Sequence, residues 1–218
     1  MKENKVMKIF EIKNLSLTDG EKEILNNVSL EIEEGSHLTI TGPSGGGKST
    51  LLKAIASLVD YNSGELLYKG KSLKEIDPIL YRREVSYCFQ QPVLFGETVK
   101  DCLTFPFEIR KLSFDENKVI SLLSEVNLSS EFLSQEIAKL SGGEKQRVAL
   151  VRNMIFAPKV ILLDEVTAGL DSENKEIVRQ FVKKQMATVI EVTHDNEELE
   201  EAQKLVRIED GGLISNNE

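Results

Sequence analysis

His37-Leu38-Thr39-Ile40-Thr41-Gly42-Pro43-Ser44-Gly45-Gly46-Gly47-Lys48-Ser49-Thr50 passes without a spacer from a short apolar strand pattern into a glycine loop. The loop runs straight into the helical pattern Leu51, Leu52, Ile55, Leu58, Val59. Residues 42–49 fit G-x-x-x-x-G-K-[ST], the spacing of a phosphate-binding loop. Glycines let consecutive backbone N–H groups turn inward on an anion, and the helix that follows adds the positive end of its dipole, about half an elementary charge. The spacing alone also fits a flexible turn, but a strand before and a helix after favour the phosphate site. Gly42, Pro43, Ser44, Gly45, Gly46, Gly47, Lys48, Ser49 and Thr50 therefore form the candidate nucleotide cradle. Lys48 is placed to reach the β- and γ-phosphates, and the Ser49 hydroxyl to reach a Mg²⁺ ion.

Before the loop, Ile9, Ile12, Leu15 and Leu17 alternate with polar residues up to a turn at Asp19-Gly20, and Val28, Leu30 and Ile32 continue the alternation to Glu34-Gly35. This predicts antiparallel strands. After the loop, strands are expected over 64–69 and 84–89, a mostly helical block from Thr98 to about Met154, strands at Val160–Leu163 and Thr188–Val192 with a helix at Glu173–Lys184 between them, then a helix and a last strand at Leu205–Ile208. Strands alternating with helices imply a parallel α/β core. The expected division is a nucleotide-binding core with a β subdomain over 1–89 and 157–218, and an inserted helical subdomain over 90–156. No internal repeat or low-complexity segment interrupts the chain.

The sequence has 218 residues, 40% hydrophobic and 29% charged, a balance that builds one domain with a core and excludes wholesale disorder. Its net charge of −9 argues against a generic nucleic-acid binder. Apolar runs reach only four residues, as at Val160–Leu163, so no membrane-spanning helix is expected. Met1 to Lys5 has no apolar stretch after it and does not read as a secretory leader, and Ser215 to Glu218 reads as a frayed tail. Cys88 and Cys102 show no metal spacing and are expected as reduced, partly buried thiols.

Two further motifs carry chemistry. Val160-Ile161-Leu162-Leu163-Asp164-Glu165 is a buried strand ending in two acids. At the carboxyl end of such a strand, one acid can hold Mg²⁺ and the next can orient or activate a water. Leu140-Ser141-Gly142-Gly143-Glu144-Lys145-Gln146-Arg147 opens a second helix, whose bare N–H groups make a second anion site.

With all three motifs in this order, the chain resembles the nucleotide-binding subunits of ABC transporters, for which LSGGE is the distinguishing sequence. The resemblance covers essentially the whole chain. It implies the ABC-ATPase variant of the P-loop fold, with an N-terminal antiparallel β subdomain and a helical subdomain inserted into the parallel-sheet core. Gln90, preferred over Gln91, resembles the Q-loop glutamine. Ala168-Gly169-Leu170-Asp171 resembles the D-loop, and His194 after Ile190-Glu191-Val192-Thr193 resembles the switch histidine. Implied cofactors are ATP and Mg²⁺, with Ser49, Gln90 and Asp164 around the metal. Glu165 is implied as general base and His194 as a stabiliser of the transferring phosphoryl group. Gln90 senses Mg²⁺ and water, Ser141 and Gly143 donate to the γ-phosphate with Gly142 beside them, and Asp171 links two sites. One phosphate loop and one LSGGE per chain imply a head-to-tail homodimer with ATP at its interface.

Two departures stand out. Val166 replaces the usual proline, giving DEVT, and Leu17-Thr18-Asp19 lacks the adenine-stacking aromatic, a role left to Phe10 or to a residue from a partner. A closer likeness, carried by ITGPSGGGKSTLLK, YRREVSY, FGETV, FPFEIR and DEVT, points to the ATPase subunits of FetAB-type iron exporters. The expected protein is an ATPase on the cytoplasmic face of the cell membrane, bound to a permease on a separate polypeptide. A soluble ABC ATPase driving protein or iron–sulfur cluster assembly is the alternative. Phe95 and Phe107, in the segment after Gln90, are the expected permease contacts.

Overall fold

The computed structural model describes residues 7–214, so the expectations for Met1 to Lys5 and for Ser215 to Glu218 lie outside the described residues. β1 (Lys8–Asp19) and β2 (Lys22–Glu33) form the expected antiparallel hairpin, with Ile12 opposite Leu30 and Leu15 opposite Val28. β3 (His37–Thr41) leads into α1 (Lys48–Ile55). β4 (Ser63–Tyr68), β5 (Lys71–Ser72), α2 (Pro78–Glu84) and β6 (Val85–Cys88) follow. Then come α3 (Val99–Glu108), α4 (Glu116–Glu125), α5 (Gly142–Met154), β7 (Val160–Asp164), α6 (Ser172–Lys183), β8 (Thr188–Val192), α7 (Asn196–Glu200), β9 (Lys204–Glu209) and β10 (Gly212–Ile214).

The strands make two sheets. One has the order β2-β1-β4-β5 and is antiparallel. The other has the order β10-β9-β3-β8-β7-β6, with β3 parallel to both β8 and β9 and β7 parallel to β8. All five residues of β7 are buried, and Val160–Leu163 show the continuous apolar pattern of an interior parallel strand. Leu38, Ile40, Leu51, Leu52, Leu162 and Ile190 share one core cluster with Ile12, Leu15 and Val28 of the hairpin. The loop between β3 and α1 is thus carried on two elements whose inward faces are fully packed.

Local chemistry explains where the boundaries fall. α1 stops at Ile55 because Ser57 takes a left-handed backbone, φ 54°. Leu58 and Val59, counted above in the helical pattern, lie beyond its end and are exposed. α2 starts at Asp77-Pro78, with the Asp77 carboxylate accepting from the N–H groups of Ile79 and Leu80 and proline in the first turn. β9 and β10 are joined by Asp210-Gly211, both at positive φ as a type I′ hairpin requires.

The chain groups into two compact units. The first holds the described residues up to Tyr87, Lys159–Glu165 and the described residues from Ala187 onward. The second holds Cys88–Pro158 together with Val166–Met186. It therefore takes in α6, which the strand-and-helix alternation left with the core. Within this unit a Cβ on Gly143, in the first turn of α5, would lie 3.1 Å from the Asn174 side chain in α6. Phe107 also lies here, 3% exposed, edge-on to Phe114 and Phe156 at 5.4 and 5.0 Å between ring centres. It is a core residue, which corrects its expected role as a docking contact. Phe95 is 39% exposed and stacks edge-on against the equally exposed Phe105. Cys88 and Cys102 are free thiols, and both are buried.

Candidate functional site

In the first unit, the glycines of the phosphate loop are fixed by contact as well as by torsion. Gly42 has φ +135°, and a Cβ there would sit 1.9 Å from the Ile208 carbonyl oxygen. Gly47 has φ +103°, and its Cβ would sit 2.5 Å from the Ile24 carbonyl oxygen. Gly45 also has positive φ but faces open space. The Lys48 ammonium donates to the carbonyls of Gly42 and Pro43, each at 2.9 Å, which folds its stem over the loop. Burial lowers its pKa from the ordinary value, while the charges of Glu165 and Asp164 oppose that shift.

β7 delivers the acids beside the loop. Asp164 is 6% exposed and accepts from the Ser49 hydroxyl at 2.7 Å through Oδ1 and from the Tyr87 hydroxyl at 2.5 Å through Oδ2. Glu165 follows with φ 49°, a left-handed backbone on a residue with a Cβ, and its N–H donates to the Val192 carbonyl at 3.0 Å. This turn points its carboxylate at His194, whose Nε2 lies 3.1 Å from Oε1. Strained backbone of this kind recurs at active sites when neighbours over-determine it.

The turn that carries His194 is braced from within. The Thr193 N–H donates to the Ile40 carbonyl at 3.3 Å. Its hydroxyl donates to the buried Glu198 carboxylate and accepts from the Asp195 N–H at 3.0 Å. The Asp195 carboxylate in turn accepts from the N–H groups of Glu197 and Glu198. Tyr87, Thr193 and Glu198 were missed in the sequence. The signal was present for Thr193, a small polar residue between a strand end and a helix cap, but none marked its partner.

The second unit carries the remaining candidates. Gln90 lies in an exposed bend just after β6. Ser141 and Glu144 form a capping box at the start of α5. The Ser141 N–H donates to the Glu144 carboxylate at 2.7 Å, and the Glu144 N–H donates to the Ser141 hydroxyl at 3.3 Å. Those bonds from Ser141 hold the Glu144 carboxyl below its ordinary range. The N–H groups of Gly142 and Gly143, in the first turn, have no intrahelical acceptor, which suits an anion. Asp171 caps α6, accepting from the Asn174 N–H at 2.8 Å and its amide at 2.7 Å, and these bonds lower its pKa. Arg147 is buried, with Glu144, Asp171 and Glu173 as the charges acting on it. Asn174 and Arg147 are site neighbours that the sequence did not single out.

Phe10 is fully buried, its ring 5.3 Å from that of Tyr68, so it cannot stack on adenine, contrary to the sequence expectation. Thr18 is exposed, and its N–H and hydroxyl are both tied to Asn62.

The donor chemistry fits Mg²⁺. Ser49 and Asp164 bring two hard oxygen atoms together at 2.7 Å, and this ion takes few protein ligands and completes its shell with water and phosphate oxygens. The glycine loop and the helix start behind it suit a polyphosphate, and side chains at Gly42 and Gly47 would displace the loop by clashing with the backbone carbonyls of Ile208 and Ile24.

Residues 25–168 match the family model described as ABC transporter. The chain belongs to the ABC transporter family. Over 205 residues, 92% of this ABC ATPase, it is 43% identical to the "Probable iron export ATP-binding protein FetA" of Escherichia coli K12, covering 91% of that protein. It is 35% identical over 221 residues to the energy-coupling factor transporter ATP-binding protein EcfA1 of Streptococcus mutans, covering 79% of it. Among solved structures, a bacterial Atm1-family ABC exporter with ATP bound superposes with a TM-score of 0.87 at 24% identity. That match covers 96% of this chain and 38% of the exporter, and shares the fold. The ABC ATPase is accordingly the ATP-binding subunit of an ABC transporter, and no helix among its described residues is long and apolar enough to cross a membrane.

Proposed function

We propose that this subunit is a Mg²⁺-dependent ATPase that drives export of a metal ion, with iron as the cargo, through a permease on a separate polypeptide. The reading rests on one observation above all. Lys48, Ser49, Asp164, Glu165 and His194 converge on the mouth of the glycine loop, joined by the Ser49–Asp164 and Glu165–His194 contacts. Lys48 and the loop N–H groups bind the β- and γ-phosphates. Ser49 and Asp164 hold Mg²⁺, which neutralises charge on the phosphate oxygens. Glu165 takes the proton of the attacking water, and His194 steadies the γ-phosphoryl group as it transfers.

Gln90 reports the state of the metal and water, and Asp171 connects two such sites. Ser141, Gly142 and Gly143 cover the nucleotide of a second copy of the chain, so that two ATP molecules close a symmetric dimer and hydrolysis opens it. Support for iron export comes from the FetA likeness, which runs nearly end to end in both proteins. The permease places the dimer on the cytoplasmic face of the membrane.

Glu165→Gln is the test. Losing a placed base costs about 10²–10⁴ in rate. The variant should bind ATP, hydrolyse it at least a hundredfold more slowly, and elute as a dimer with Mg-ATP. Wild-type turnover would remove Glu165 from the role of base. Reconstitution with the permease in vesicles, followed by iron flux, tests the cargo.

A further inference from the structure

Asp164 carries two hydrogen bonds, and phosphate-loop chemistry accounts for only one of them. Its Oδ1 accepts from Ser49 at 2.7 Å, on the side of the glycine loop. Its Oδ2 accepts from the Tyr87 hydroxyl at 2.5 Å, and Tyr87 belongs to β6, the strand beside β7. At 6% exposure the carboxylate has little water to turn to, so protein donors decide which way each oxygen faces. An O–H donor to a carboxylate at this length belongs to the charge-assisted class. The two donors grip different oxygens of the group and fix its rotation.

We propose that Tyr87 is a positioning residue for magnesium. By occupying Oδ2, its phenol turns Oδ1 toward Ser49 and the cation. The proposal rests on the reading of Ser49 and Asp164 as the magnesium pair. Hydrogen-bond donors behind a metal ligand commonly change metal affinity by about 10–100-fold when removed. Tyr87→Phe keeps the ring and deletes only the donor. Tyr87→Met deletes the same donor with a more adaptable side chain, should the phenylalanine variant fold poorly.

The experiment is a titration of the full chain with a fluorescent ATP analogue, first in EDTA and then over graded Mg²⁺, with thermal unfolding in EDTA alongside. Removing the Tyr87 hydroxyl should leave nucleotide affinity in EDTA within about twofold, and raise the Mg²⁺ concentration for half-maximal enhancement about tenfold. In an Asp164→Asn background the same change should add nothing, because the group it positions is already altered. Equal loss of affinity with and without Mg²⁺ would mean that Tyr87 only packs, and would overturn the proposal. So would an unchanged Mg²⁺ requirement in a chain where Asp164→Asn does shift it. If Asp164→Asn itself leaves the requirement unchanged, the magnesium pair is misassigned, a failure distinct from that of Tyr87.

Discussion

A methyl group at Gly42 has no room: it would meet the Ile208 carbonyl oxygen at 1.9 Å, on a backbone at φ +135°. Gly42→Ala should therefore abolish nucleotide binding in a calorimetric titration. Gly45→Ala faces open space at φ +78° and bears only the left-handed penalty, about 1–2 kcal/mol, so ATP affinity should fall by no more than about 5–30-fold. The identity of the loop was legible in the sequence because strand, glycines and helix are contiguous. The fate of Phe10 was not. A register shift between Lys8 and Phe10 breaks the alternation of β1, and Ile9 and Phe10 are both buried. With no aromatic at Leu17-Thr18-Asp19 and Phe10 in the core, ATP and GTP should support turnover at similar rates. A strong preference for ATP in a steady-state assay would place a base-reading group elsewhere.

At the level of elements, the start of α5 was readable from Ser141 to Glu144, since a capping box is a local pattern. Its pH response follows from the bonds that lower the Glu144 pKa. A carboxyl held below its ordinary 4.5 contributes stability in full above that value and loses it as pH falls through the lower folded value. Glu144→Ala should cost about 1 kcal/mol near neutral pH, the usual price of a lost cap, and the difference from wild type should vanish in strong acid. Urea melts at several pH values measure both. The brace on the His194 turn was not readable, because a buried Thr193–Glu198 contact depends on how β8 and α7 meet. Thr193→Val keeps the shape and deletes the hydroxyl. It should lower kcat about tenfold with the ATP KM little changed, an effect absent in a His194→Ala background.

Across the whole chain, apolar residues of one short segment differ in burial in a way that composition could not foretell. Phe107 is locked between Phe114 and Phe156, and Phe107→Ala should destabilise the fold by about 3–5 kcal/mol in chemical denaturation. Phe95, exposed, keeps its candidacy as a permease contact. Phe95→Glu should spare folding and ATP binding, yet abolish co-purification with the permease. The parallel strands and the helices between them were legible from apolar patterning, whereas β5, α2 and β10 were not singled out, and the membership of α6 in the second compact unit rests on packing that no local pattern encodes. A different consequence belongs to Glu165 and its left-handed backbone. Asparagine tolerates that conformation better than glutamate does. A library selected only for heat resistance should therefore enrich Glu165→Asn and lose the proposed base in the same step. Under the proposed role of Glu165 as base, such a selection would trade turnover for a relaxed backbone.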